Sequence, residues 1–253
     1  MIKLKSYLFF SVIILVSVAC QNNYQLKNIK AKNIPIDSTL AKQDSIESII
    51  EPYRNGLQAE MNKLLSYTEK AMFKSDNPLN TAIGNMMADA VLEMANPVFV
   101  KRNKDSIDAV LLNYGGIRSG ISKGVITTKT AYNIMPFENM VVIAELDAET
   151  MRALIDYLAK NQVAHPIANM NLIIDNQGKI QNVNINGKPI DENQTYLIAT
   201  SDYLIQGGDN MNFFKKAHNV YDIDYKLRNL FIDYFAKHDT INPQADNRFI
   251  KIP

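Results

Sequence analysis

Cysteine and histidine are scarce in this sequence, and their scarcity excludes several classes of protein. Cys20 is the only cysteine, so no disulfide can form within the chain. The three histidines, His165, His218 and His238, stand in no H-E-x-x-H, D-x-H or H-x-H pattern, which argues against a metal site built by this chain alone. The motifs G-x-S-x-G, G-x-x-x-x-G-K-S and G-x-G-x-x-G are also missing. We therefore assign no catalytic residue and no cofactor to this chain.

The sequence also lacks an excess of charge of one sign. It has 27 basic and 26 acidic residues, and 25 basic residues remain beyond the two lysines of the first nineteen positions. Such a balance produces no field that would attract a polyanion, so we expect no nucleic acid polymer as a partner. With 47% apolar residues and only 10 glycines and 9 prolines, the composition is typical of a globular domain with a packed core.

No hydrophobic run is long enough to span a bilayer securely, because such a helix needs about 20 apolar residues. The apolar stretch from Tyr7 to Val18 is shorter, follows Lys3 and Lys5, and is followed by Ala19 and Cys20. This order is typical of a lipoprotein signal peptide cleaved before an acylated cysteine. The alternative is a retained N-terminal anchor with an incidental thiol.

The segment that follows Cys20 sets the predicted domain organisation. We expect a signal peptide over 1–19, a polar tether over 20–32 and one domain over 33–253. An acylated Cys20 would leave the mature chain without a thiol and anchor it by lipid in the bacterial cell envelope, in the periplasm or at the outer membrane.

Hydrophobic periodicity predicts an α+β fold with a mixed β-sheet flanked by helices, because strands do not alternate strictly with helices. The predicted helices are 39–63 with a break at Pro52, a segment from Pro78 through Met94, Ala148–Ala159 after an Asp147 cap, and Asp224–Lys237. The predicted strands are Ala109–Leu112, Met140–Leu146, Leu172–Asp175, Val183–Ile185, Tyr196–Thr200 and an edge strand Phe249–Ile252.

Three polar and aromatic clusters flank the predicted strands: Asn113–Arg118, Pro136–Asn139 and Asp202–Asp209. Taken singly, each cluster also fits an ordinary turn or a core phenylalanine. Taken together, they supply two aromatic faces, a cation, an amide and a carboxylate. That set suits the binding of a nucleoside, because a base stacks on aromatic rings and its sugar or phosphate needs polar partners.

These clusters carry a resemblance to a known family. N-Y-G-G-I-R, P-F-E-N and Tyr203 ahead of G-G-D resemble motifs in the C-terminal, substrate-binding domain of the 5'-nucleotidase/UDP-sugar hydrolase family. The helix sequence G-N-M-M-A-D-A from Gly84 to Ala90 is similar to the family's G-N-L-I-A-D-A. The sequence departs from the family in having only Lys74 as a basic residue between Met72 and Asn77, and Asn210 where glycine usually follows G-G-D.

The resemblance implies a role for each matching residue. Phe137 and Tyr203 would stack on the two sides of the base, Asn139 and Asp209 would contact base and ribose, and Arg118 would hold the sugar-phosphate side. The implied substrate-binding set is Asn113, Gly116, Arg118, Phe137, Asn139, Tyr203, Gly207, Gly208 and Asp209.

The sequence departs most from the family in lacking the D-x-H, G-N-H-E and G-H-x-H motifs of its metallophosphoesterase domain. The favoured hypothesis is a substrate-recognition component of a split 5'-nucleotidase, with divalent metals supplied by a separate metallophosphatase. One alternative is a lipid-anchored nucleoside- or nucleotide-binding protein without an enzymatic partner. Another is a degenerate domain that serves as a scaffold.

Overall fold

A computed structural model describes residues 26, 28–103 and 105–253. The predicted signal peptide and the predicted lipid attachment at Cys20 lie outside these residues, and the proposed domain boundaries stay predictions. The chain divides into two compact units, Met1–Ile49 and Ile50–Pro253. The sheets and the candidate site belong to the second unit.

The helices and strands alternate irregularly along the chain. The helices are α1 (Asp44–Met61), α2 (Ala82–Asn103), α3 (Thr128–Ile134), α4 (Ala148–Asn161), α5 (Asp202–Ile205) and α6 (Leu227–Lys237). The strands are β1 (Leu64–Thr68), β2 (Ala109–Leu111), β3 (Gly124–Thr127), β4 (Met140–Leu146), β5 (Ile167–Ala168), β6 (Met170–Ile174), β7 (Ile180–Ile185), β8 (Tyr196–Ser201), β9 (Asn219–Lys226), β10 (Thr240–Ile241) and β11 (Phe249–Lys251). Short 3-10 turns cover Tyr114–Gly116, Gly208–Asn210 and Asn212–Lys216.

The central sheet has the strand order β5-β2-β8-β4-β9. Strands β2 and β8 are parallel, and the other neighbouring pairs are antiparallel. The prediction of a mixed sheet flanked by helices is therefore confirmed.

Both faces of the central sheet are buried along β2, β8 and β4. Along β2, Val110 belongs to a core cluster that includes Phe99 of α2 and Phe231 of α6. Its neighbour Leu111 belongs to a second cluster that includes Leu154 of α4. Successive strand residues point to opposite faces, so helices that cover both faces explain why β2 is a continuous apolar run.

Two smaller sheets complete the fold, with the orders β10-β1-β3 and β11-β6-β7. Strands β6 and β7 are antiparallel, as their sequence predicted, and β11 pairs in parallel with β6 at the edge of its sheet.

The G-N-M-M-A-D-A motif ties α2 to the C-terminal segment. The amide of Asn85 donates to the carbonyl oxygen of Gln244 at 2.9 Å, and Asp89 pairs with the guanidinium of Arg248 at 2.8 Å. Asp246 also pairs with Arg248 at 2.8 Å, so this largely buried cation is neutralised from both sides. In this chain the motif therefore stabilises the fold.

The predicted start of the last helix was wrong. The structure continues β9 to Lys226 and begins α6 at Leu227. Asp224 adopts a left-handed conformation, with φ of 53°, and its N–H donates to the Asp222 carboxylate at 2.7 Å. This local turn interrupts helical geometry, and alternating Ile223 and Tyr225 fit a strand as well as a helix.

Within residues 26, 28–103 and 105–253, no helix combines the length and the apolar character required to cross a membrane.

Candidate functional site

The strand topology brings the three clusters to one edge of the central sheet. Asn113–Arg118 follows β2 and Asp202–Asp209 follows β8, and the C-terminal ends of parallel neighbours lie at the same edge. Pro136–Asn139 precedes β4, which is antiparallel to β8 with Val141 opposite Ser201. The start of β4 therefore lies beside the end of β8.

A cavity of about 300 Å³ opens at this edge. Seven of the nine residues in the predicted set line it, together with Gly115: Asn113, Gly116, Arg118, Phe137, Asn139, Tyr203 and Asp209. Phe137 and Tyr203 are 40% and 44% exposed, so neither ring is buried in the core. The cavity is at the small end of the range for small-molecule sites.

Gly207 and Gly208 do not line the cavity but shape the turn behind it. Gly207 has a φ of 88°, a conformation that glycine adopts without strain. A Cβ atom on Gly208 would lie 2.4 Å from Cε1 of the Tyr203 ring. The absence of a side chain at Gly208 therefore allows the Tyr203 ring to lie against the turn.

Gly208→Ala is expected to displace the Tyr203 ring, because no Cβ fits 2.4 Å from a ring carbon. We expect about a 5- to 150-fold loss of adenosine affinity, which corresponds to losing about 1–3 kcal/mol of stacking, measured by isothermal titration calorimetry. Gly56→Ala is the control, since Gly56, like Gly208, has no positive φ, and a Cβ there meets nothing within 4 Å. Equal binding by the two variants would contradict this role of Gly208.

Asp209 is held by one donor from its own loop and by donors from two other segments. Asn113 Nδ2 donates to Oδ2 at 2.7 Å, and the Tyr203 hydroxyl donates to Oδ1 at 3.1 Å. The Tyr157 hydroxyl donates to the backbone carbonyl oxygen of Asp209 at 2.8 Å. Each carboxylate oxygen can accept a further bond, so Asp209 presents an oriented acceptor to a ligand that carries hydroxyl or amine donors.

The buried side chain of Arg228 holds the loop that carries Phe137. This arginine is 6% exposed, and its Nη1 donates to the carbonyl oxygens of Pro136 and Phe137 at 3.1 and 3.3 Å. Its guanidinium carbon lies 4.2 Å from the centroid of the Tyr132 ring, an arrangement that provides a cation–π contact. The position of the Phe137 ring thus depends on a buried cation distant in sequence.

Glu138, the next residue of that loop, forms ion pairs with Lys226 and Arg228. Hydrogen bonds from Lys226 and then Arg228 lower the pKa of the Glu138 carboxyl to about 2. The carboxylate therefore stays ionised across the physiological range and keeps the loop attached to the start of α6.

Arg118 is the only cation among the residues that line the cavity. Its backbone N–H donates to the carbonyl oxygen of Ile134 at 3.0 Å, which fixes the backbone, while the side chain is exposed. The guanidinium carbon lies 5.6 Å from the centroid of the Phe137 ring. No ion pair engages Arg118 within the described chain, so its charge is available to an anionic group.

His165 supports the site from inside the protein. It is 6% exposed, its Nδ1 accepts the backbone N–H of Tyr114 at 3.1 Å, and its ring centroid lies 5.6 Å from that of Tyr157. Burial lowers the pKa of His165 to about 4, although the nearby Asp209 charge opposes this shift. The imidazole is therefore neutral at pH 7 and serves as an acceptor.

Sequence reasoning missed three supporting residues: Tyr157, His165 and Arg228. They belong to none of the three motifs, and each contacts the site across more than fifty positions of sequence. Lys74, the basic residue upstream of α2, lies outside the cavity, with its Nζ 4.5 Å from the centroid of the Tyr114 ring.

The residues that the structure describes contain no group of three or more histidine, cysteine, aspartate or glutamate side chains arranged to hold a metal ion.

Comparison with known proteins identifies the domain. The family model "5'-nucleotidase, C-terminal domain" matches residues 62–216. The trifunctional nucleotide phosphoesterase protein YfkN of Bacillus subtilis is 25% identical over 87% of this chain and 16% of its own length. The cell wall protein Lmo0130 of Listeria monocytogenes is 29% identical over 80% of this chain and 29% of its own length.

A crystal structure of a 5'-nucleotidase precursor from Thermus thermophilus has the same fold. It superposes with a TM-score of 0.67 at 19% identity, over 83% of this chain and 43% of that structure. This chain thus spans less than half the length of each of these relatives. The family model extends from the end of α1 through the last of the three site loops, and the chain belongs to the 5'-nucleotidase C-terminal domain family.

Proposed function

We propose that this chain is the nucleotide- or nucleoside-recognition component of a split 5'-nucleotidase that acts in nucleotide catabolism. The single observation that carries the proposal is the cavity at the sheet edge, which gathers two exposed rings, one cation, two amides and one carboxylate. Membership of the 5'-nucleotidase C-terminal domain family supports a nucleotide as the ligand class.

The chemistry of the cavity suits one nucleoside. The base stacks on Phe137 and Tyr203, with about 1–3 kcal/mol gained per stacked base. Asn139 offers both a donor and an acceptor to the base edge, and Asp209 accepts from the ribose hydroxyls. Arg118 binds the sugar-phosphate side through its planar set of donors.

We assign hydrolysis to a separate metallophosphatase. Two relatives extend far beyond the matched domain, and one of them is named as a phosphoesterase. Metals in such a partner would activate water and polarise the phosphate, while this chain would bind and orient the nucleoside. In this arrangement no cofactor belongs to this chain.

We further propose that the protein is exported and held in the bacterial envelope by a lipid on Cys20. The N-terminal sequence supports this location, and a related protein is named as a cell wall protein.

Phosphate release from AMP tests the split-enzyme proposal. The purified mature chain with Mn²⁺ is expected to release no phosphate. Added to a metallophosphatase encoded in the same genome, it is expected to raise the turnover of AMP above that of the phosphatase alone. The Phe137→Ala variant serves as the control, because it should lose the stimulation.

AMP hydrolysis by the isolated chain, abolished by a chelator, would contradict the split. Adenosine binding without any stimulation of a phosphatase would favour the alternative of a lipid-anchored nucleoside-binding protein. That alternative uses the same cavity. All the residues that line the cavity come from this chain, so binding a nucleoside requires no partner protein.

A further inference from the structure

We infer that the hydroxyl group of Tyr203 is a positioning group that holds the Asp209 carboxylate in its ligand-binding orientation. This inference rests on the proposed function and adds to it a second role for Tyr203, whose role in that function is stacking. The role belongs to the hydroxyl rather than to the ring.

The Tyr203 hydroxyl makes two hydrogen bonds to the same residue. It donates to Asp209 Oδ1 at 3.1 Å and accepts the backbone N–H of Asp209 at 3.3 Å. A single oxygen atom thus fixes both the side chain and the backbone of Asp209. The bonds span six positions and close the loop that begins at α5 and contains the double glycine.

The backbone of this loop needs such external support. Gly207, Asp209 and Asn210 have φ values of 88°, 51° and 62°, so three of four consecutive residues are left-handed. Two of the three, Asp209 and Asn210, carry side chains, so the conformation costs free energy there, although less than for most other residues. Contacts from outside the turn must therefore maintain it.

The other contacts to Asp209 cannot replace the hydroxyl. Asn113 holds Oδ2 and Tyr157 holds the backbone carbonyl oxygen, so neither reaches Oδ1 or the N–H. Without the Tyr203 hydroxyl, the carboxylate can rotate about its remaining bond to Asn113. The acceptor that the ribose requires would then lose its fixed direction.

The hydroxyl also couples the carboxylate to the stacking ring. The ring is confined on one side by Gly208, where a Cβ would approach Cζ to 2.5 Å. The hydroxyl end of the same ring is bonded to Asp209. A phenylalanine at this position would retain the stacking face and lose the hydrogen bonds to Asp209. The two roles of Tyr203 are therefore separable by mutation.

Tyr203→Phe, titrated with adenosine and with free adenine by calorimetry, tests the inference. Adenine carries the base alone, so its binding depends on stacking, whereas adenosine adds the ribose hydroxyls. We expect Tyr203→Phe to weaken adenosine binding by about 3- to 10-fold, the effect of a lost hydrogen bond, and to leave adenine binding unchanged. Tyr203 is 44% exposed, so the variant is expected to fold, which circular dichroism checks.

The matched control is Tyr225→Phe. It removes a hydroxyl that also donates to a carboxylate, that of Asp233 at 2.6 Å, but lies outside the cavity. Tyr225→Phe is expected to bind both ligands as the wild type does.

Three other outcomes of these titrations would each contradict a specific claim. Wild-type affinity of Tyr203→Phe for adenosine would show that the hydroxyl has no positioning role. An equal loss for adenosine and adenine would show that it places only the ring. Failure of the wild-type protein to bind either ligand would overturn the proposed function itself, and this inference with it.

Discussion

Phe137→Ala is expected to lower the affinity for adenosine by about 5- to 150-fold, which corresponds to the loss of about 1–3 kcal/mol of base stacking. The Phe137 ring is 40% exposed and lines the cavity, so its removal leaves the core intact. The backbone of the loop stays bonded to Arg228 in this variant, because those bonds use main-chain carbonyl oxygens. Isothermal titration calorimetry measures the change directly.

Two further variants isolate the contribution of the aromatic face. Phe137→Leu keeps an apolar side chain without a ring and is expected to show a similar loss. Phe73→Ala removes a ring that is 46% exposed but outside the cavity, and it is expected to leave adenosine binding unchanged. Wild-type affinity for adenosine in both Phe137 variants would contradict a stacking role and show that the Phe137 ring does not contact the ligand.

The location of the site follows from local sequence patterns. Continuous apolar runs predict β2, β4 and β8, and the observed bounds differ from the predicted ones by at most one residue. These strands are buried on both faces, so burial and strand propensity favour the same structure. Once β2 and β8 are neighbours in parallel, the clusters that follow them must lie close together.

Two of the strands that the sequence did not predict, β1 and β10, have weak local signals. Strand β10 has two residues, and β1 is partly exposed, with an irregular register against β3. Such segments become strands because partners from distant parts of the chain pair with them. The turn at Asp224 likewise depends on a local side-chain bond that competes with a helix.

The positions of the supporting residues depend on tertiary contacts alone. Arg228 lies in the first turn of α6, far from Phe137 in sequence, and His165 lies between α4 and β5. Both nevertheless bond to main-chain atoms of the site loops. Main-chain acceptors and donors carry no sequence signature, so no motif marks the side chains that bind them. The residues that line the cavity are therefore readable from sequence, whereas the residues that orient them are not.

A fall in pH from about 6.5 to about 4 is expected to destabilise the protein through His165. Its pKa is about 4 in the folded protein because burial disfavours the charged ring, and 6.5 is its ordinary value. Between these values the unfolded chain binds the proton that the folded protein excludes. The free energy of unfolding therefore falls as the pH falls through this window, by roughly 3 kcal/mol in total, and this contribution stops changing below about pH 4.

Urea unfolding of the wild type and His165→Asn across pH 4–7 measures this contribution. An asparagine Oδ1 can accept the Tyr114 N–H but does not titrate, so the variant should lose less stability on acidification. Carboxyl groups with lowered pKa values, such as those of Asp147 and Asp175, affect both proteins alike and cancel in the difference. Parallel pH profiles of the unfolding free energy for the wild type and His165→Asn would contradict this prediction. They would mean that the His165 ring is protonated as readily in the folded protein as in the unfolded chain. A protonated ring cannot accept the Tyr114 N–H, so that donor would need another acceptor.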